Sequence, residues 1–420
     1  MKFLDIKLFS ARLVLALMLA TAILFGWQSF KLQIASTIAE YTSPFSPDAK
    51  IKAEYAFWLS PNDPSVRWFF ATVNKDIPSK ERARLYEDVV RAAPYDFRWW
   101  IELARAREQA DQISEAEQAI KQTISIAPSY VYPRWQAGNF YLRSGEIQKA
   151  IEEFKKALRH NTIYRQQIFS VLWDFFEKDP KMLEEIVSDI PSARVDLALF
   201  FAAKNLPEES LKIWRQLDDR EKKDRQQTAS VIAQGLFDKR FFRTALEFSK
   251  EIGFDTNADL EKITNGGFEL SVKRESEAYF DWKMIAAAKT EFNPDLTTKK
   301  EGNRSLRIQF NGYNGTQFYH FYQTVAVQPS TKYILSFWYR AEKVKTAGPP
   351  VIEIINANDD KPIKSSQPLV DTNEWRLMEM NFVTPDNAEG IVIRVGRVVC
   401  GEQCPIFGTI WLDDFQLKRS

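Results

Sequence analysis

Ile263-Thr264-Asn265-Gly266-Gly267-Phe268-Glu269 opens the last third of the chain, and Gly408-Thr409-Ile410-Trp411-Leu412-Asp413-Asp414-Phe415-Gln416-Leu417 closes it. Between them lie short runs rich in β-branched and aromatic residues: Ser305 to Phe310, Tyr319 to Val327, Tyr333 to Arg340, Val351 to Ile355, Arg376 to Val383 and Ile391 to Val395. Gly, Pro, Asn and Asp separate them, so each reads as a strand bounded by turns. With the closing run Thr409 to Leu417, their number suits an all-β sandwich over residues 261–420.

Side chains alternate between the faces of a strand, which separates core from surface. Tyr333, Leu335, Phe337 and Tyr339 share one face and should be buried, while Trp338 and Arg340 lie on the other. By the same parity His320 and Tyr322 oppose Phe321 and Val325, Glu353 opposes Ile352 and Ile354, Glu379 and Asn381 oppose Met380 and Phe382, and Arg394 opposes Ile393 and Val395. These eight residues could share one sheet face. Aromatic rings stack on the CH face of a sugar, and Glu, Asn and Arg hydrogen-bond its hydroxyls, so the set is suitable glycan-binding chemistry. A solvated sheet, or one covered by the helices upstream, gives the same alternation.

The order of motifs is also informative. Asn265-Gly266-Gly267-Phe268-Glu269 and Trp282 come first, then Gly302-x-x-Ser305-Leu306, Gln323-x-Val325 and Pro329-x-x-x-Tyr333-x-x-Ser336-x-Trp338. Trp375, Phe382-x-x-Pro385 and Leu412-Asp413-Asp414-x-x-Leu417 complete the series. The region resembles the jelly-roll carbohydrate-binding modules appended to xylanases and related glycanases. That resemblance implies a module that binds glycans and does not cleave them. It also implies a structural calcium tying the first strand to the last, with Glu269 and Asp413 as the carboxylates in position to hold it. Calcium takes six to eight oxygens, more than two carboxylates supply.

Upstream, residues 47–253 change to helical periodicity. Trp100, Leu103, Ala104, Ala116, Ile120 and Pro128 map, 34 residues on, to Arg134, Ala137, Gly138, Ala150, Phe154 and Thr162, several of them alike in kind. Ala137-Gly138-x-x-Tyr141…Gly145…Ala150…Phe154…Ala157 resembles the tetratricopeptide repeat at most of its diagnostic positions. Pro61 and Pro94 precede Pro128 by similar steps, Leu197 to Phe201 with Ser210 and Trp214 continue the rhythm, and residues 162–190 fit poorly. Small residues such as Ala104, Gly138 and Ala150 let helices approach, and aromatics fill the grooves between hairpins. Trp99, Trp100, Trp135 and Trp214 are expected in the core. Arrays of this kind commonly hold a protein partner on the concave face. Asp218 to Gln227 is dense in charge of alternating sign and reads as a solvated helix or connection. Phe254 to Asp259 reads as the connector to the sandwich.

Before the array, Lys2, Lys7 and Arg12 precede an apolar run from Leu13 to Phe30. Residues 1–35 therefore read as a short cytoplasmic tip and a single membrane-spanning helix, or as a signal peptide. Trp27 and Lys31 suit an interfacial anchor and favour the retained span, which places the rest of the chain outside the cytoplasm, in the periplasm of a bacterium of that envelope type. Cys400 and Cys404 then fall in an oxidising compartment, where a local disulfide is expected. Reduced, half-buried thiols are the alternative, since so short a gap needs a tight turn.

The composition bounds what remains. Fifty-seven basic against 56 acidic residues leave no field to attract nucleic acid. His160 and His320 are the only histidines, which excludes a histidine-rich metal centre, and no nucleophile elbow or phosphate loop is present. The expectation is a multidomain, non-enzymatic chain: a transmembrane helix, an all-α tetratricopeptide-like solenoid and an all-β jelly roll. Its role would be that of a membrane-anchored adaptor joining an unknown protein partner to a polysaccharide in envelope or exopolysaccharide assembly. A purely structural scaffold is the alternative, and a glycan-active enzyme a weaker one.

Overall fold

A computed structural model describes residues 9–160, 163–272, 278–372 and 374–420. Lys2, Lys7 and Thr162 lie outside the described residues. The chain divides into two compact units, Met1–Phe175 and Phe176–Ser420.

The first unit is helical: α1 (Phe9–Tyr41), α2 (Ala49–Leu59), α3 (Pro64–Val73), α4 (Ser79–Ala92), α5 (Phe97–Gln109), α6 (Ile113–Ile126), α7 (Val131–Arg143), α8 (Ile147–His160) and α9 (Arg165–Phe175). Among the described residues one helix, α1, is long and apolar enough to cross a membrane. From α3 onward the helices form antiparallel pairs, and the starts of α5, α7 and α9 keep a 34-residue step (97, 131, 165). The residue types explain the pairing. A Cβ on Gly138 would come 2.5 Å from the Phe154 ring, so only glycine admits that fully buried ring between α7 and α8. Gly145, at φ +79°, supplies the left-handed residue that ends α7, with Glu146 N–H closing back on Tyr141 O at 2.9 Å.

The segment 162–190, which matches the repeat poorly in sequence, is nonetheless helical where described. Glu177 and Lys178 take positive φ, Asp179 caps the next helix through Lys181 N–H, and Pro180 starts it. These turn residues displace the repeat's usual signals without breaking its helices.

The second unit begins with α10 (Pro180–Val187), α11 (Pro191–Ala203), α12 (Pro207–Arg215), α13 (Asp219–Asp224), α14 (Gln226–Asp238) and α15 (Phe242–Glu251). Helix α13 is the charged stretch; it buries no residue and opens on a capping box formed by Asp218 and Glu221.

The strands follow: β1 (Lys283–Met284), β2 (Thr290–Asp295), β3 (Ser305–Tyr313), β4 (Phe321–Ala326), β5 (Lys332–Lys345), β6 (Pro350–Asn356), β7 (Pro362–Ser365), β8 (Arg376–Val383), β9 (Gly390–Arg397) and β10 (Ile406–Arg419). They form two antiparallel five-stranded sheets, ordered β1-β4-β9-β6-β7 and β2-β3-β10-β5-β8. Tyr333, Leu335, Phe337 and Tyr339 are buried between them, as alternation requires.

The opening and closing motifs meet at one corner of this core. Asn265 and Phe268 take positive φ, and the Asn265 side chain bonds both N–H and C=O of Leu270, folding the motif into a turn. Gly266 O accepts Phe415 N–H at 3.0 Å, and Asn265 O accepts Trp282 Nε1–H at 3.2 Å. On the closing side, the pairing of β10 with β5 slips between Asp413 and Gln416, with Asp414 at φ +47°. That bulge turns Phe415 into a cluster with Trp282, Phe268 and Phe337.

Candidate functional site

The eight glycan-binding candidates do not share a face. Tyr322 on β4, Glu353 on β6 and Arg394 on β9 belong to the first sheet, whereas Trp338 and Arg340 on β5 and Glu379 and Asn381 on β8 belong to the second. Parity assigns each side chain inward or outward but carries no information on which sheet a strand joins. The two groups therefore look out from opposite sides of the sandwich.

On the first sheet, cross-strand register builds a continuous row. Lys283 pairs with Tyr322, Tyr322 with Arg394, Arg394 with Glu353 and Glu353 with Ser365. Arg394 Nε donates to Glu353 Oε2 at 2.7 Å, with about a third and a quarter of the two side chains exposed. The Glu353 side chain lies across Gly396, where a Cβ would come within 2.5 Å of its carboxylate. Glycine thus gives the ion pair its seat. Both Arg394 Nη groups take no hydrogen bond among the described residues, and Tyr322 is half-buried beside them.

Part of this sheet's outer surface is covered. Thr324 and Ala326 of β4 point outward by register yet are buried, and α15 packs against that strand. A Cβ on Gly390 would come 2.7 Å from the Phe242 ring, Arg240 O accepts Asn358 Nδ2–H at 3.0 Å, and Arg243 Nη1 donates to Gln328 Oε1 at 3.3 Å. The end holding Tyr322, Arg394 and Glu353 remains open.

On the second sheet the aromatic rings are capped. Lys300 Nζ sits 4.2 Å above the Trp338 ring, and Arg340 Cζ lies 5.8 Å above Trp411, whose Nε1 donates to Asp295 Oδ2 at 2.8 Å. Burial alone would raise the Asp295 carboxyl, but bonds from Thr298 N–H, Trp411 and Thr297 hold it well below the usual carboxylate range. Arg340 also pairs with Glu342. Glu379 and Asn381 are exposed beside Ser336 and Ile334. His320 precedes β4 and packs among Tyr319, Phe318 and Tyr313; burial lowers its pKa, so the neutral ring serves this cluster.

Glu269 and Asp413 both bond the 300–304 loop at the corner. Asp413 is fully buried; its Oδ2 accepts Lys300 N–H at 2.8 Å and Glu301 N–H at 3.2 Å, and its Oδ1 accepts Asp414 N–H. Burial raises its pKa against those donors. Glu269 Oε1 accepts Asn303 N–H at 2.8 Å, and this with the other Asn303 and Arg304 bonds outweighs burial and lowers its pKa. Both carboxylates clamp the 300–304 loop, where Gly302 at φ +59° leaves room for Glu269. The pair suits calcium by charge and oxygen chemistry. No third His, Cys, Asp or Glu joins it among the described residues, so carbonyl and water oxygens would have to complete the sphere.

Cys400 and Cys404 form a disulfide. Beside it stands Arg397, a residue that sequence reasoning did not single out. It is 5% exposed; Nη1 donates to Gly315 O at 2.6 Å, and Nη2 to Gly348 O, Cys404 O, Thr346 Oγ1 and Cys404 Sγ at 2.9–3.1 Å. Burial lowers its pKa, but an arginine stays charged. One signal pointed there: Arg397 shares the parity of core-facing Ile393 and Val395, where a cation needs acceptors.

Trp214, in the second unit, is in the core, but Trp99, Trp100 and Trp135 of the first unit are only half-buried. Trp99 and Trp68 line a cavity of about 430 Å³ with Glu40, Arg98, Glu102 and Tyr132, and Trp135 lines a neighbouring one of about 550 Å³ with Arg105, Gln136 and Asn139. Helical spacing puts these tryptophans toward neighbouring helices but cannot say whether a further layer covers them. Here Trp99 and Trp135 each wall an open cavity, and Trp100 donates its Nε1–H to Pro94 O at 2.9 Å.

No family model and no curated protein matches the chain. Among solved structures, it is similar to one described as "CBM4 structure and function", at 17% identity and a TM-score of 0.29, covering 38% of this chain and 99% of that one. It is also similar to MamA from Desulfovibrio magneticus RS-1, at 21% identity and a TM-score of 0.27, covering 31% and 73%. A third is the Clostridium thermocellum xylanase 10B CBM22-1–GH10 structure complexed with xylohexaose, at 12% identity and a TM-score of 0.26; this chain spans 29% of its length.

Proposed function

We propose that this chain is a non-catalytic, membrane-anchored adaptor outside the cytoplasm, whose helical groove takes a segment of a protein partner and whose sandwich takes a polysaccharide, in envelope or exopolysaccharide assembly. The observation that carries it is the open row Tyr322, Arg394 and Glu353. A tyrosine ring offers a stacking surface, a guanidinium with both Nη groups unengaged reaches vicinal hydroxyls, and a fixed carboxylate accepts from them. The Arg394–Glu353 bond pre-orients both, so little side-chain freedom is lost on binding. Trp338 is a secondary candidate, because a sugar would have to displace Lys300 from its ring.

Affinity electrophoresis against a panel of bacterial and plant polysaccharides tests this. Tyr322→Ala should weaken retention by about ten-fold, the scale of one lost stacking contact, with the melting temperature unchanged. Trp338→Ala should change it far less. Equal retention of Tyr322→Ala and the parent protein would move the site elsewhere, and no retention of the parent on any glycan would sink the sugar reading.

That second outcome favours a purely structural scaffold. The observation behind this alternative is the cover of α15 on the first sheet, through Phe242 against Gly390.

A calcium ion held by Glu269 and Asp413 belongs to the same proposal. If it is present, removing it with a chelator leaves a buried carboxylate without its counter-charge, and the sandwich should melt several degrees lower. Restored calcium should recover the loss. A melting temperature indifferent to chelation removes the ion and leaves the amide clamp to close the corner.

A further inference from the structure

Helix α1 does two jobs along its length. From Phe9 to Phe30 it is about 33 Å long at ~1.5 Å per residue, matching the roughly 30 Å hydrocarbon core of a bilayer. Without a break it continues to Tyr41, and there Ala35 and Ala39 are buried against Ala49, Ala53 and Ala56 of α2 and Val66 and Phe69 of α3. The end of the candidate span is thus the first helix of the array.

Helix α2 runs back along α1, so its last turn returns to the level where the apolar stretch ends. Lys31 Nζ lies 5.6 Å from the Trp27 ring on its own helix and 6.0 Å from the Trp58 ring on α2. Trp58 is 71% exposed and Tyr55 50%, and their rings stack at 6.0 Å. Alanines occupy the side of α2 packed on α1, leaving these two aromatics exposed. The turn that follows is polar: Arg67 donates to Asn62 Oδ1 and Asp63 caps α3. Exposed Trp and Tyr beside a lysine, level with the end of an apolar helix, have the chemistry of the lipid–water interface.

We propose that Trp58 and Tyr55 of α2 seat in the lipid headgroup layer beside Trp27 and Lys31, so that a bilayer grips the first helical hairpin at two points and fixes the tilt of this unit. The proposal rests on α1 being retained as a span. It commits to a lipid surface as occupant because the aromatic pair is continuous with the interfacial anchor of α1. Ile51, on the same exposed stripe of α2, is about 10 Å farther from that level, at ~1.5 Å per residue.

The test is site-directed spin labelling of the full chain in phospholipid vesicles. The described residues hold no free cysteine, so an introduced thiol takes the label alone. Leu19→Cys reports on the span, Trp58→Cys and Tyr55→Cys on the proposed contact, and Ile51→Cys on the water side. Collision with a water-soluble nickel chelate should be at least about three-fold weaker at positions 58 and 55 than at 51, with oxygen collision correspondingly stronger, as expected for headgroup depth. Equal nickel access at 51 and 58 while position 19 is lipid-buried overturns the proposal and leaves the span intact. Equal shielding of 51 and 58 from both reagents also overturns it, and assigns the stripe to a protein or a second copy. A water-exposed position 19 rejects the span itself.

Discussion

Gly266→Ala should cost the sandwich roughly 3 kcal/mol or more, the scale of forced overpacking combined with broken buried hydrogen bonds. A methyl group at that position runs into the carbonyl oxygen of Phe415, part of the backbone of β10, and no rotamer relieves it. Moving the two segments apart breaks the bond from Phe415 N–H to Gly266 O and draws Phe415 away from Trp282 and Phe337. Hydrogen exchange resolved by strand is the measurement, because it assigns the loss to the strands at the joint. Protection should fall throughout β3, β5 and β10. Gly401→Ala is the control: no atom lies within 4 Å of its Cβ position, and a change within about 0.5 kcal/mol is expected. If the two variants exchange alike, the two motifs are not pinned as described.

Arg397→Met should be comparably damaging, at roughly 3 kcal/mol, because several buried carbonyls lose their donor at about 1–3 kcal/mol each. The side chain is close in volume, so the loss is electrostatic: the carbonyls of Gly315, Gly348 and Cys404 stay buried without their donor. Lysine cannot rescue fully, since one ammonium does not reach carbonyls spread around a planar guanidinium. The same substitution should quicken reduction of the Cys400–Cys404 disulfide by dithiothreitol, because the loop carrying Cys404, now 2% exposed, loses its tether. Parent-like exchange in β6 and β9 together with parent-like reduction would refute the role given to Arg397.

Much of the fold was legible in the residue order, for local reasons. Period-two alternation marked Tyr333, Leu335, Phe337 and Tyr339 as core, and all four are buried. A 34-residue step marked the helical pairs, and helix starts at Phe97, Val131 and Arg165 keep it. The candidate site was legible only in part. Tyr322, Glu353 and Arg394 pointed outward as expected and form one row, but Trp338 and Arg340 fell on the other sheet. The cap on Trp338 comes from Lys300 in a loop clamped by Asp413, and the cover on the first sheet comes from α15. No local pattern encodes either.

Residue order alone dictates that the chain begins with a helix able to cross a membrane, continues as paired helices and ends as alternating strands. Periodicity and turn chemistry act within a few residues, so they can be read without the rest of the molecule. Which outward faces stay open was decided only by tertiary structure. Strands far apart in sequence choose their sheet by pairing, and loops and helices from elsewhere then cover part of each face. Of the residues able to meet a sugar, that long-range packing capped Trp338, left Tyr322, Arg394 and Glu353 as an open row, and turned the motifs bracketing the sandwich into the joint that closes it.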